Sequence, residues 1–273
     1  MSAARPARHG YGPAVATTLV SWNLKGSGNP DTSAIAAYLR SEGADVVVLQ
    51  EVQWHQARRI ARTLGARRWH WGFKHWPLRT WPEGMAMIGV TVDARGATRT
   101  LSHGWKLWSW RRRILQIARV APDTPHAVTL VNVHLTPHGQ IGLRAVETAT
   151  ALGIVAETAP PVVVAGDLNE RPDGAIHRQL AAAGLRDAWS ERPLVDHVDH
   201  DPAGRPQRRP DPWPTHWRGW RRGTTEPPTQ RLDYVYATEG VRIVDIHTPG
   251  HDDLARFAAI SDHLPVTAVF ELR

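Results

Sequence analysis

The feature that most limits how this chain can fold is a set of short apolar runs, each of which stops at a polar residue. Residues 45–51 (DVVVLQE) and 162–166 (VVVAG) are continuous apolar stretches, not alternating ones. That is the pattern of strands covered on both faces. Residues 17–22 (TTLVSW) read as another strand, and Asp31 is placed to cap a helix reaching about Glu42, with Ile35 and Leu39 on one face. Ala57, Ile60, Ala61 and Leu64 recur at helical spacing. Stretches near 84–92, 97–103, 114–121 and 126–134 read as strands between Gly, Pro and Asp turns. A long helix follows on Ile141, Ala145, Thr148, Leu152 and Val155, stopped by Pro160 and Pro161. A short helix covers about 173–183, and strands near 232–237, 241–247 and 264–270 close the chain. Residues 190–230 are rich in Pro, Arg, Asp and Gly and read as a long irregular loop, a length that usually serves function inside a compact domain. Strands alternating with helices over 273 residues fit one α/β domain. Residues 1–15 read as a flexible tail, and no repeat or low-complexity run divides residues 16–273.

Composition narrows the chemistry. The chain has no cysteine, which excludes disulfides, thiolate catalysis and cysteine-ligated zinc. Any metal must be held by oxygen or imidazole, which favours magnesium, manganese or calcium. Net charge is +7, and because lysine occurs only at Lys25, Lys74 and Lys106 the cations are almost all arginine. The guanidinium fork suits bidentate phosphate contacts. Codon bias in a GC-rich genome would also enrich arginine, so charge alone supports a polyanionic partner only modestly. No run approaches the ~20 apolar residues that span a bilayer. The basic N-terminus has no continuous apolar segment of the secretory kind. A cytoplasmic location and, by default, a monomer are therefore expected.

Metal-competent residues sit where the apolar runs end. Asn23 follows LVSW, Glu51 ends VVVLQ, His134 ends LVNV, and Asp167 and Asn169 follow PVVVAG. Asp233 lies in RLDYVYA, and Asp262 and His263 directly precede LPVTAVF. In a sheet-based domain such ends gather at one rim, where loops converge on a cleft. Taken singly, each has an ordinary explanation, since Asn and Asp are common turn residues after strands. A lone strand-end histidine is more often a hydrogen-bonded structural group. The ordered series is what carries the functional signal.

The blocks SWN at 21–23, LQE at 49–51, NVHL at 132–135, GDLN at 166–169, RLDYV at 231–235 and SDHLPV at 261–266 occur in this order over nearly the whole chain, about 18–270. In this they resemble the endonuclease/exonuclease/phosphatase superfamily, the deoxyribonuclease-I-like enzymes, which include AP endonucleases, sphingomyelinases and inositol-polyphosphate phosphatases. The resemblance implies a two-sheet, four-layer α/β/β/α sandwich with its site where the loops of both sheets meet. It implies hydrolysis of phosphate esters with Mg²⁺, or Mn²⁺ or Ca²⁺, as cofactor. Asn23, Glu51 and Asp262 are then expected to hold the cation, Glu51 directly. His263 would activate or orient the attacking water, with Asp233 fixing its tautomer. His134 would bond a phosphate oxygen, while Asp167 and Asn169 position the water and the scissile phosphate. Whether an Asp or a His is the base, and whether one metal or two take part, stays open. A cationic or tyrosyl phosphate contact is usual in the family near 105–116 (WKLWSWRRRILQ), where Arg111, Arg112, Arg113 and Arg119 are equivalent candidates.

Substrate is read from charge and aromatics. Trp69, Trp71, Trp76, Trp81, Trp105, Trp108 and Trp110 interleave with Arg and Lys, which suits stacking on unpaired bases beside a phosphate backbone. A nuclease on DNA or RNA is therefore the leading expectation. An anionic lipid or a small phosphoester is the alternative, because Trp beside basic residues also describes a membrane-surface belt. The AP-endonuclease branch fits less well, since Asn23 leads into LKGSGN and not into a second Asn and an Arg. A catalytically inactive binding module fits poorly, because no acidic or imidazole position of the series is missing. The run DHVDHD at 196–201 reads as solvated loop ahead of a second metal site, and PTHW at 214–217 as a lining of the cleft.

Overall fold

The computed structural model describes residues 16–75, 81–106, 109–121, 123–124, 126–137, 139–172, 174–191, 199–200, 206–207 and 213–273. The expected tail at 1–15 and most of the DHVDHD run lie outside these residues. The strands in chain order are β1 (Thr17–Asn23), β2 (Val46–Gln53), β3 (Arg68–His75), β4 (Glu83–Gly89), β5 (Ala94–Lys106), β6 (Ser109–Val120) and β7 (Val128–His134). They continue with β8 (Val162–Asp167), β9 (Arg186–Asp187), β10 (Asp199–His200), β11 (Pro206–Gln207), β12 (Asp233–Ala237), β13 (Val241–His247) and β14 (Val266–Leu272). The helices are α1 (Thr32–Ser41), α2 (Trp54–Leu64), α3 (Ile141–Ala156), α4 (Ala175–Ala182), α5 (Ala188–Glu191) and α6 (Leu254–Ala258).

Two mixed sheets of six strands face each other. One runs β13-β14-β1-β2-β4-β3 and the other β5-β6-β7-β8-β12-β9. Each has one parallel pair, β1 with β2 and β7 with β8. Among the described residues a single backbone pair, His75 with Arg111, joins the two sheets. The continuous apolar runs follow from this layering. On β2, Val46 and Val48 face the core between the sheets, whereas Val47 and Leu49 face the core under the helices. Ile35 and Leu39 of α1, Ala57 and Ile60 of α2 and Phe257 of α6 close that outer core. α3 and α4 cover the other sheet. Fully burying one such Val or Leu is worth ~1.5–3 kcal/mol, so interruption of either run would be felt on both faces.

Local chemistry sets the element ends. Asp31 caps α1 by accepting from Ser33 N at 2.8 Å and Ala34 N at 3.2 Å. Gly65 ends α2 at φ 67, the left-handed region where a Cβ is costly. Beneath the rim the inter-sheet core turns polar. Asn132 of β7 donates to Leu49 O and Ala86 O across the gap, both at 3.2 Å, and accepts from Gln50 Nε2 at 2.8 Å. These bonds fix the sheets' mutual position, since a buried amide left unpaired costs ~1–3 kcal/mol.

Three expectations change. Residues 68–75, where no element is expected from sequence, form β3. The strands expected at 97–103 and 114–121 are parts of a longer hairpin, β5–β6, so much of the basic segment 105–116 is strand. The short helix α6 lies between the strands expected at 241–247 and 264–270, where no element is expected from sequence. Within 190–230, α5 reaches Glu191, and the described residues 213–230 are irregular apart from bridges of His216 to Gln230 and His263. No helix among the described residues is long and apolar enough to cross a membrane.

Candidate active site

Strand register assembles the site. Across β7, β8 and β12 the pairs His134 with Asp167 and Asp167 with Asp233 place three candidate site residues in one row. Gly166 makes this possible: at φ 140 a Cβ there would sit 2.0 Å from Val133 O. From the other sheet, Asn23 ends β1 beside Gln50. Glu51 lies in a register slip between Leu49 and Val52 at φ 49, a left-handed conformation that costs a non-glycine residue ~1–2 kcal/mol. Asn169 is also left-handed, at φ 50.

Asp167 is the hub. Its Oδ2 accepts from Asn23 Nδ2 at 3.0 Å and lies 3.8 Å from both His134 Nε2 and His263 Nε2. Its Oδ1 accepts from Asn169 N at 2.8 Å, and Asn169 Nδ2 donates to Leu135 O at 3.0 Å. Burial pushes the Asp167 carboxyl up, and the His263 charge opposes that rise. His263 Nδ1 meets Asp233 Oδ2 at 2.8 Å. The same oxygen accepts from Thr215 Oγ1 at 2.6 Å, and that hydroxyl receives Leu232 N and Asp233 N. Burial alone would lower the His263 pKa, but Asp233 and Asp167 outweigh it and raise the imidazole to about 10. These carboxylates favour the charged form of the imidazole.

His134 differs. It is buried, and Lys74 Nζ lies 3.1 Å from its Nδ1. An ammonium has no lone pair to accept with, so Nδ1 accepts and Nε2 keeps the proton. Burial, then the charges of Lys74 and Arg113, hold the His134 pKa far below its usual value, leaving the ring neutral. Nε2–H faces Glu51 Oε1 at 3.6 Å as well as Asp167. Lys74 is itself buried, 3.8 Å from Glu51 and 3.7 Å from Glu83. Burial, then Arg113, lowers its pKa, while burial and the charge of Glu51 raise that of Glu83.

Lys25 organises the remaining corner. Its Nζ pairs with Asp262 Oδ2 at 2.6 Å, its backbone N donates to Asn23 Oδ1 at 3.1 Å, and Trp220 lies under the ammonium at 4.5 Å. The His216 ring packs 4.6 Å from that of His263. Ligand atoms of His216, Asp262 and His263 lie within 4.8 Å of one another, as do those of Asp167, Asp233 and His263. The donors are carboxylate, amide and imidazole, which suit a hard divalent cation. Glu51 fits best: its side chain is 28% exposed, and its carboxylate stays 3.8 Å from Lys74 Nζ and 3.6 Å from His134 Nε2, beyond hydrogen-bond range.

The residues expected from sequence thus fall into place unequally. Asn23, His134, Asp167, Asp233 and His263 form one buried cluster, with Glu51 at its open edge and Asn169 behind. Asp262 stands beside it, engaged by Lys25. Lys25, Lys74, Glu83, Thr215 and His216 were not singled out as site residues, although PTHW was expected to line the cleft. A signal existed for two of them: in a chain that uses arginine almost throughout, Lys25 and Lys74 are two of three lysines. The arginine candidates separate. Arg112 donates to Phe73 O and Arg119 to Thr129 Oγ1 and Ala159 O, whereas the Arg113 charge acts on Lys74, Glu83 and His134. The side chain of Arg111, and those of Trp76, Trp105, Trp108 and Trp110, lie outside the described residues.

The model of the Endonuclease/Exonuclease/phosphatase family matches residues 20–263. The chain belongs to this family. Its members are divalent-metal-dependent phosphoester hydrolases, and the chain is an enzyme of that kind. No curated protein matches it. Among solved structures, it is similar to an endonuclease/exonuclease/phosphatase from Beutenbergia cavernae, with 25% identity, TM-score 0.67, and coverage of 94% of this chain and 72% of that one. It also resembles the TDP2 of D. rerio complexed with single-strand DNA product (18%, TM-score 0.68, 93% and 98% covered). The Bacteroides thetaiotaomicron mannosyl-6-phosphatase shares the fold too (16%, TM-score 0.64, 92% and 98% covered).

Proposed function

We propose that this enzyme is a nuclease, a phosphodiesterase acting on DNA or RNA with Mg²⁺ or Mn²⁺. The observation that supports it best is Glu51, an open carboxylate at the edge of a buried Asp–His cluster with Lys25, Lys74 and Arg113 close by. Glu51 would hold the cation, flanked by Asn23 and Asp262. When bound, the cation polarises the phosphoryl oxygen and offsets charge on the leaving oxygen. His134, neutral, donates from Nε2 to a phosphoryl oxygen. His263, held charged by Asp233, donates from Nε2 and orients the phosphate and the attacking water. Asp167 Oδ2, between the two imidazoles, receives the water proton, and a carboxyl raised by burial is a competent acceptor near neutral pH. Asn23 and Asn169 hold that carboxylate in place. The net charge of +7 supports a polyanionic substrate.

A small-molecule or lipid phosphoester is the second reading, favoured by the shared fold of the mannosyl-6-phosphatase. Parallel assays on plasmid DNA, a single-stranded oligonucleotide, bis-p-nitrophenyl phosphate and sphingomyelin, with and without Mg²⁺, decide between them. Metal-dependent cleavage of the nucleic acids is expected; turnover of sphingomyelin alone would overturn the nuclease reading.

A further inference from the structure

Helix α2 starts three residues after Glu51, so its first residue is at most ~10 Å along the chain from the proposed cation ligand. Its start is tied to the site: Gln56 Nε2 donates to Gly26 O at 2.9 Å, next to Lys25. At Gly26 a Cβ would sit 2.5 Å from Glu51 O, so the turn after Lys25 packs directly on the site strand. The helix divides cleanly. Gln56, Ala57, Ile60 and Ala61 are buried, whereas Trp54, His55, Arg58, Arg59, Arg62 and Thr63 are exposed. These six exposed residues line a groove of about 400 Å³. No acidic residue occurs in the helix.

Two aromatic rings mark its near end. Trp54 is 47% exposed and Trp81 71%, two large aromatic surfaces open to solvent near the start of α2. The Trp81 ring packs edge-on against His55 at 6.0 Å, and Arg58 lies over Trp54 at 5.2 Å. Aromatic faces beside cations that repeat along one side are what a single nucleic-acid strand needs: bases stack and phosphates pair. The exposed face of α2 carries no aliphatic side chain, so the apolar area it could bury in a bilayer is confined to the Trp54 ring and its neighbour Trp81.

We infer that this face of α2 is the contact for the single-stranded part of a nucleic-acid substrate extending away from the scissile phosphate. Trp54 and Trp81 stack its bases while Arg58, Arg59 and Arg62 pair with its phosphates. The inference rests on the nuclease reading for its substrate class, yet it is tested by binding and not by cleavage.

The test is fluorescence anisotropy of a labelled 12-nucleotide single strand, titrated with the full chain in EDTA over a range of salt. It compares wild type, Trp54→Ala and the triple change Arg58→Gln, Arg59→Gln, Arg62→Gln. Loss of three phosphate contacts should reduce the slope of log affinity against log salt by ~2, and Trp54→Ala should weaken binding about tenfold. In cleavage assays the triple variant should raise KM for the 12-mer more than KM for bis-p-nitrophenyl phosphate. Unchanged affinity and salt slope in both variants would overturn the inference, as would loss of binding to phosphatidylserine vesicles without loss of oligonucleotide binding. Wild-type binding without any cleavage would instead count against the nuclease reading, so the two failures are distinct.

Discussion

Two buried polar clusters lie a few residues apart and are built on opposite rules. Beneath α3, Arg144 donates to Glu170 Oε2 at 2.8 Å and Thr136 O at 3.1 Å. Glu147 there accepts from Ser102 Oγ at 2.6 Å, Thr136 Oγ1 at 2.7 Å and Thr136 N at 2.8 Å. Charge there is matched by close donors. In the candidate active site the approaches of Lys74 to Glu51 and of His263 to Asp167 stop at 3.8 Å, and among the described residues Asp233 Oδ1 and His216 Nδ1 are buried with no hydrogen-bond partner. The first cluster spends its charges on holding the fold. The second pairs His263 with Asp233 and Lys25 with Asp262 but leaves Glu51 without a close donor, as a site that takes up a cation would.

Removing one member from each cluster should separate these roles. Glu51→Gln should lower kcat by about 10²–10⁴-fold, with the urea midpoint unchanged or raised. Arg144→Met should do the reverse. It strands Glu170 and costs ~3–5 kcal/mol in urea unfolding, with a smaller loss of kcat per folded molecule. Thr215→Val tests the join, because its hydroxyl both satisfies two backbone amides and holds Asp233. A cost of ~1–3 kcal/mol is expected, together with a measurable fall in kcat; a stability loss alone would place Thr215 with the structural group.

The smallest effect lies far from both clusters. His247 Nε2 meets Glu42 Oε2 at 2.9 Å, tying β13 to the end of α1. Glu42 raises the His247 pKa above 6.5, and His247 lowers that of Glu42 below 4.5. The His247 contribution is full below its unfolded value and is lost as pH rises through the raised folded value. The Glu42 contribution is full above its unfolded value and is lost as pH falls through the lowered folded one. The pair therefore stabilises most between about pH 4.5 and 6.5. His247→Ala should cost no more than ~1 kcal/mol there, and the difference from wild type should shrink in urea melts above that window.

The fold was legible where burial on both faces wrote itself as unbroken apolar runs, as in β2 and β8. β3 was not, although Trp69, Trp71 and Phe73 alternate with Arg68, His70, Gly72 and Lys74. Its period of two sets aromatic against mostly basic residues, a pattern that suits a binding surface as readily as a half-buried strand. The five residues of α6 are too few to show a helical period. In the site, residue types at strand ends could be read, but their pairing could not. Lys25 reaches Asp262 across 237 positions and Lys74 reaches His134 across 60. The left-handed turn at Glu51 is imposed by the slip against β4, which LQEV does not reveal.

The most direct measurement is the rate of single-strand cleavage against Mg²⁺ concentration for wild type and Glu51→Gln, with cation binding followed by calorimetry. Wild-type activity should saturate with the cation, and Glu51→Gln should lose both the tight cation binding and about 10³-fold in rate. A Glu51→Gln enzyme with wild-type rate and cation affinity would contradict the assignment of Glu51 as the residue that holds the metal.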